Sequence, residues 1–207
     1  MPPSASRTAI IVVDMQNDFC SPNGAMAALG SDISANVSVA SRLPRFLDSA
    51  RALGCLIVWV RQSNREELVS AARRRQAQTM NRDVLTVCKA GTWGTELVDG
   101  LIPAPGDPII EKSRYSAFVG TPLHNLLRAQ ERDHVVVCGT AANVCVDSTI
   151  RDAYMADYSV TMSSDLVGWT RKDLALSAIA NLEFYFCEVM HSDELVSGWG
   201  GLAWQDE

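Results

Sequence analysis

Histidine is scarce in this chain, with three in 207 residues: His124, His134 and His191. They are widely spaced and lack partners at metal-ligand intervals, so structural or solvated roles are expected and no metal site. Long hydrophobic runs are missing too. Stretches such as Ala9 to Val13 and Val135 to Cys138 fall far short of the roughly 20 apolar residues that cross a bilayer, so no membrane partner is expected. Positive charge is in deficit, 18 Lys and Arg against 24 Asp and Glu for a net of -6. No overall field would then draw a phosphate backbone or anionic lipid, and nucleic acid is not an expected partner. The start of the chain offers no charged segment, long apolar middle or small-residue cleavage site, so no leader is expected and a cytoplasmic location is. Cys-x-x-Cys pairs are absent: Cys20, Cys55, Cys88, Cys138, Cys145 and Cys187 stand far apart and read as reduced thiols. Internal repeats, low-complexity tracts and Gly/Ser linkers are also lacking, which favours one domain over residues 1–207.

Apolar residues make up 47% and charged residues 20% of the chain, a composition that folds. Short apolar runs alternate with helical spacing, the pattern of βα units and of an α/β fold with a mainly parallel sheet. Six strands are predicted: Thr8 to Val13, Cys55 to Val60, Pro108 to Glu111, His134 to Cys138, Ser159 to Met162 and Cys187 to Met190. The first and fourth are continuously apolar, as central strands covered on both faces should be. Ser34 to Leu53 carries helical spacing and ends at Gly54; Pro44 either kinks this helix or marks a later start. Thr121 and Pro122 read as N-cap and first residue of a helix through Arg128, and Thr170 or Lys172 opens another to about Phe184.

In an open parallel sheet, ligands bind beyond the carboxyl ends of the strands. The first strand runs into Asp14, the third into Lys112, and the fourth into Gly139-Thr140-Ala141-Ala142-Asn143-Val144-Cys145. Taken singly, each has a bland reading: a loop-capping Asp, a solvated Lys, a small buried Cys. Taken together, a carboxylate, an ammonium and a thiol on one sheet edge supply a proton acceptor, a cation and a nucleophile.

These segments resemble the isochorismatase-like cysteine hydrolases. Asp14-Met15-Gln16-Asn17-Asp18-Phe19 is similar to the family's opening motif, Glu111 to Phe118 to its lysine segment, and Gly139 to Ala153 to its nucleophile segment. Lys89 to Asp99, the Arg-Tyr-Ser-x-Phe after Lys112 and Asn181 to Phe186 look closest to ureidoacrylate and biuret amidohydrolases. The resemblance implies a three-layer, doubly wound, Rossmann-like fold and a triad of Asp14, Lys112 and Cys145. It also implies an oxyanion hole from the amides of Ala141 and Cys145, a cis peptide at Thr140–Ala141, and a thioester route that needs no cofactor. A helix N-terminus and a nearby ammonium are both expected to favour the Cys145 thiolate. Nicotinamidases of the superfamily hold a metal just beyond the second strand, where this chain reads Trp59 to Glu67 without histidine. Isochorismatases proper need no thiol, so Cys145 points to the acyl-transfer branch.

Phe19, Gln62, Trp93, Tyr115 and Phe118 are candidates for binding a small planar substrate, against ordinary packing as the alternative. Arg73-Arg74-Arg75 reads as a solvated charge run, with receipt of a substrate carboxylate as the alternative. Tyr154, Met155 and Phe184 to Phe186 read as core or subunit interface, and relatives imply a homo-oligomer, a tetramer being favoured. The expected function is metal-independent hydrolysis of a small ureido, carbamoyl or carboxamide substrate. The rivals are a lactam or streptothricin-type hydrolase of the same fold and a non-catalytic thiol sensor or binding module.

Overall fold

The two runs without a polar break become the middle of the sheet. Thr8–Val13 (β1) and His134–Gly139 (β4) are buried at every position, as strands covered on both faces must be. The computed structural model describes residues 3–79, 81 and 83–202; Met1 and Pro2, the start of the stretch read for a leader, lie outside the described residues. Leu56–Gln62 (β2), Ile109–Lys112 (β3), Ser159–Val167 (β5) and Glu188–Met190 (β6) complete a six-stranded sheet ordered β3-β2-β1-β4-β5-β6. Every neighbouring pair is parallel.

The helices are Asn17–Cys20 (α1), Ala25–Ala28 (α2), Ser34–Ala52 (α3), Ala71–Thr79 (α4), Leu123–Ala129 (α5), Asp147–Met155 (α6), Lys172–Tyr185 (α7) and Ser192–Gly198 (α8). Alternation along β1 sorts them into two layers. Ala9, Ile11 and Val13 face Leu123 and Leu127 of α5, Ile150 and Ala153 of α6, and Ala175 and Leu182 of α7. Ile10 and Val12 face Leu43, Phe46 and Leu47 of α3 and Leu195 and Val196 of α8. The chain is therefore a three-layer α/β fold. From β1 it winds outward to β2 and β3, then returns to place β4 on the other side of β1. In sheets of this kind such a reversal marks the place where ligands bind, beyond the carboxyl ends of the strands flanking it, here β1 and β4.

Several boundaries move from the sequence reading. Pro44 sits inside α3, which starts at Ser34, so the later start is excluded; lacking an N–H, Pro44 gives up one helical bond. β5 runs on to Val167 through Ser163, Ser164 and Asp165. The polar stretch hid this extension, which Gly139 pairing with Val167 beyond a bulge makes possible. Thr121 Oγ1 accepts from Leu123 N (3.2 Å), the bond expected of an N-cap, although α5 proper begins at Leu123.

His134 lies across three strands. Its Nδ1 is 2.9 Å from Thr8 Oγ1 and its Nε2 2.9 Å from Thr161 Oγ1. Thr8 already donates to Ser4 O, so it accepts from Nδ1–H, and Nε2 accepts from Thr161. Burial holds the imidazole down at about 4, against a weaker upward pull from Asp133. The unfolded chain binds this proton near 6.5. Stability from the neutral ring is therefore complete above pH 6.5 and lost as pH falls towards 4, by about 3 kcal/mol in all. Urea unfolding between pH 7 and 4 should show this slope in the wild type and a flatter one in His134→Gln. Equal slopes would remove His134 as the cause.

Candidate active site

Asp14 follows β1 directly. Its φ of 54° is in the left-handed region, which Asp tolerates better than most residues. Its amide donates to Val60 O of β2 (2.9 Å), which sets the carboxylate at the sheet edge. Lys112 is itself the last residue of β3, in register with Gln62 and two strand spacings, about 10 Å, from β1. Its side chain spans the end of β2. Nζ donates to Asp14 Oδ2 (2.8 Å), Gln62 Oε1 (2.9 Å) and Arg114 O (3.1 Å), so each ammonium hydrogen has one acceptor. The ion pair joins residues 98 positions apart and is closed to solvent on both sides.

Cys145 reaches the same place from β4. A Cβ at Gly139 (φ 109°) would stand 2.0 Å from Val13 O, so only glycine lets the end of β4 press against β1. Thr140 N then donates to Val13 O (2.9 Å), and the Thr140–Ala141 peptide is cis. The chain next makes one wide turn, Ala142–Val146, closed by Val146 N donating to Ala141 O five residues back. Cys145 thus lies in a π-type turn ahead of α6, not in the first turn of an α-helix. Thr149 Oγ1 donates to Cys145 O (2.6 Å) and accepts from Ala117 N (3.0 Å), tying this turn to the segment that follows Lys112. The amides of Ala142, Val144 and Val146 are spent on Gly168 O and Ala141 O; none of these bonds uses the Ala141 or Cys145 amide.

The three groups act on one another. Burial raises Asp14 above the usual carboxylate range, and Lys112 and Cys145 pull partly back. Burial presses the Lys112 ammonium downward, but Asp14 and Cys145 outweigh it and the group ends raised. Cys145 is 6% exposed. Its thiol is pushed up, first by burial and then by the Asp14 charge, against Lys112. Burial and the adjacent carboxylate thus oppose the expected pull of Lys112 toward thiolate. Ionising the thiol to bulk would leave net charge -1 in a dry site, whereas the resting set of carboxylate, ammonium and thiol sums to zero. Oδ1 of Asp14 is buried without a hydrogen-bond partner.

The other candidates separate. Gln62 does not line open space: Oε1 takes Lys112 and Nε2 donates to Asn64 Oδ1 (2.7 Å). Phe118 packs its ring on Tyr158 (5.8 Å between centroids), just before β5. Phe19 is half-buried against the α3 layer. Trp93 and Tyr115 are each 47% exposed. Trp93 lies on a short turn whose continuation bonds Gln16 and Asn17, just past Asp14, and Tyr115 lies just past Lys112. Arg73 is no solvated charge. Its Nη1 donates to Ser113 O (2.9 Å) and its Nη2 to Asn64 Oδ1 (3.2 Å).

An Isochorismatase domain model matches residues 8–194. The chain belongs to the isochorismatase family. Ureidoacrylate amidohydrolase RutB of Enterobacter sp. (strain 638) is 36% identical over 191 residues, covering 86% of this chain and 83% of that protein. A cysteine hydrolase from Pseudomonas syringae pv. phaseolicola 1448A superposes with TM-score 0.84 at 27% identity, covering 97% of this chain and 95% of the other. N-carbamoylsarcosine amidase from Thermoplasma acidophilum gives 0.73 at 27%, covering 91% and 98%. In this isochorismatase-family chain the histidines are engaged elsewhere: His134 as above, His124 on Tyr158, and His191 capping α8. Among the described residues no three His, Cys, Asp or Glu side chains converge as a metal site.

The sequence reading missed Asn64 and Gln16. Gln16 Nε2 donates to Gln62 O and Thr95 O, and its Oε1 accepts from Gln62 N. The available signal for Asn64 was its spacing two residues beyond Gln62, which continues one face of β2.

Proposed function

We propose that the chain is a cysteine amidohydrolase that cleaves a C–N bond of a small ureido, carbamoyl or carboxamide substrate. The observation that carries this reading is the buried Asp14–Lys112 pair beside the Cys145 thiol at the switch point of the sheet. Its chemistry follows from charge. Loss of the thiol proton to solvent is opposed, but its transfer to Asp14 leaves the site neutral, with the thiolate replacing the carboxylate beside Lys112. A carboxylate whose proton affinity is already raised takes that proton more readily. The thiolate then attacks the carbonyl carbon, and the amides of Ala141 and Cys145 receive the oxyanion. Collapse breaks the C–N bond, and Asp14 returns the proton to the leaving nitrogen. Water, deprotonated by Asp14, attacks the thioester, which releases the acid and restores the thiol.

A thiol sensor works through an exposed sulfur, and Cys145 is 6% exposed. The same-fold lactam hydrolases would use identical steps on a ring. Exposed Met155, Phe184 and Tyr185 on α6 and α7 support a homo-oligomer. The test is an ammonia-release screen over ureas, carbamoyl acids, maleamate, nicotinamide and lactams, with mass spectrometry of quenched reactions. A substrate-dependent acyl mass on the Cys145 peptide is the expected result. Turnover without any such adduct, together with full activity after Cys145 alkylation, would overturn the reading.

A further inference from the structure

The hydrogen bonds around Lys112 continue outward through two amides to a guanidinium. Gln62 gives Oε1 to Lys112 and donates from Nε2 to Asn64 Oδ1. Asn64 spends Nδ2 on Val87 O (2.7 Å), and its Oδ1 receives a second donor, Arg73 Nη2. Gln62 and Asn64 are both buried, so an amide turned the wrong way would set like atoms face to face without water to relieve them.

A carboxamide side chain fits either way round unless its neighbours decide. Arginine carries five donors and no acceptor. Arg73 on one side and the acceptor-only Val87 O on the other therefore admit only the Asn64 orientation that presents Oδ1. That orientation requires Gln62 to present Nε2, which leaves Oε1 for Lys112. The reverse order would point Gln62 N–H groups at the ammonium. α4 buries no side chain, so the contacts of Arg73 are not a by-product of core packing.

We infer that Arg73 is a positioning residue: with Val87 O it holds the Asn64 and Gln62 amides in the order that keeps an acceptor on the Lys112 ammonium, and so helps to aim that ammonium at Asp14. This rests on the reading of Asp14, Lys112 and Cys145 as the reacting groups. Asp14 is faced by Lys112 from β3, by Cys145 from the turn after β4, by Cys20 from α1, and by Cys88. Of these only Lys112 is cationic. Loosening it makes the carboxylate harder to ionise, and the acid limb of Cys145 reactivity moves to higher pH.

The experiment is peptide-resolved iodoacetamide labelling of Cys145 from pH 4 to 9 in the full chain, for wild type, Arg73→Met and Arg73→Lys, with circular dichroism to verify folding. Arg73→Met is expected to shift the acid limb up by about one pH unit and to slow labelling about tenfold below it. Arg73→Lys, still a donor without an acceptor, should stay within roughly threefold of wild type. A folded Arg73→Met with the wild-type limb overturns the inference, as does Arg73→Lys behaving like Arg73→Met. If wild-type Cys145 neither labels nor forms a substrate-dependent acyl adduct, the functional reading itself falls and takes the relay with it. A labelling wild type with superposable variants removes the relay alone.

Discussion

Lys112→Met is expected to cost about 3–5 kcal/mol of stability, because it leaves one member of a buried ion pair behind. Asp14 Oδ1 already lacks a partner, and the substitution also strips Oδ2, Gln62 Oε1 and Arg114 O of their donor. The stranded carboxyl escapes part of the penalty by holding a proton. Its folded pKa then stands further above the unfolded value, so the destabilisation is least near pH 4 and grows as pH rises through the folded pKa. Adding Asp14→Asn removes the charge and should restore most of the stability, because an uncharged pair pays no ionic desolvation. Urea unfolding of both variants at pH 5 and 8 checks this. A double variant no more stable than Lys112→Met at pH 8 would show that the pair's charges are not the cause.

Cys145→Ala should lower turnover on the order of 10⁴-fold or more while the melting behaviour stays close to wild type. The contrast arises because the sulfur is the bond-forming atom yet contributes little to the core beyond its volume. Asp14→Asn should lose a comparable factor, since an amide cannot accept the thiol proton. The two losses should not multiply, because groups that act in one step fail together. Steady-state rates on a substrate from the amide screen decide it, with unfolding curves as the control. Full turnover by Cys145→Ala would end the thioester mechanism.

The sheet was legible because its centre is chemically simple. β1 and the core of β4 have no polar break, and their ends carry Asp14 and Gly139, which are the residues a reader would stop at. Lys112 was legible as a residue at a strand end. Its crossing of β2 to Asp14 depends on strand order, which local pattern does not contain. The opposing influences on the Cys145 thiol were hidden for a similar reason. Helix position and a nearby cation are visible in the sequence, whereas near-complete burial and an adjacent carboxylate are properties of the folded site. The contacts of Phe118 with Tyr158 and of Arg73 with Asn64 were hidden because they join distant segments. β5 was cut short because Ser163 to Asp165 look like a loop; Ser163 bonds Asp165, and Asp165 reaches across to Ser192 at the start of α8.

Gly139 pressed against Val13 O leaves no slack between the strands that bear Asp14 and the Cys145 turn. Evolution could not widen that gap to admit a bulkier molecule without tearing the sheet. Any change in the space at this edge of the sheet would have to come from the segments around it rather than from the strands themselves.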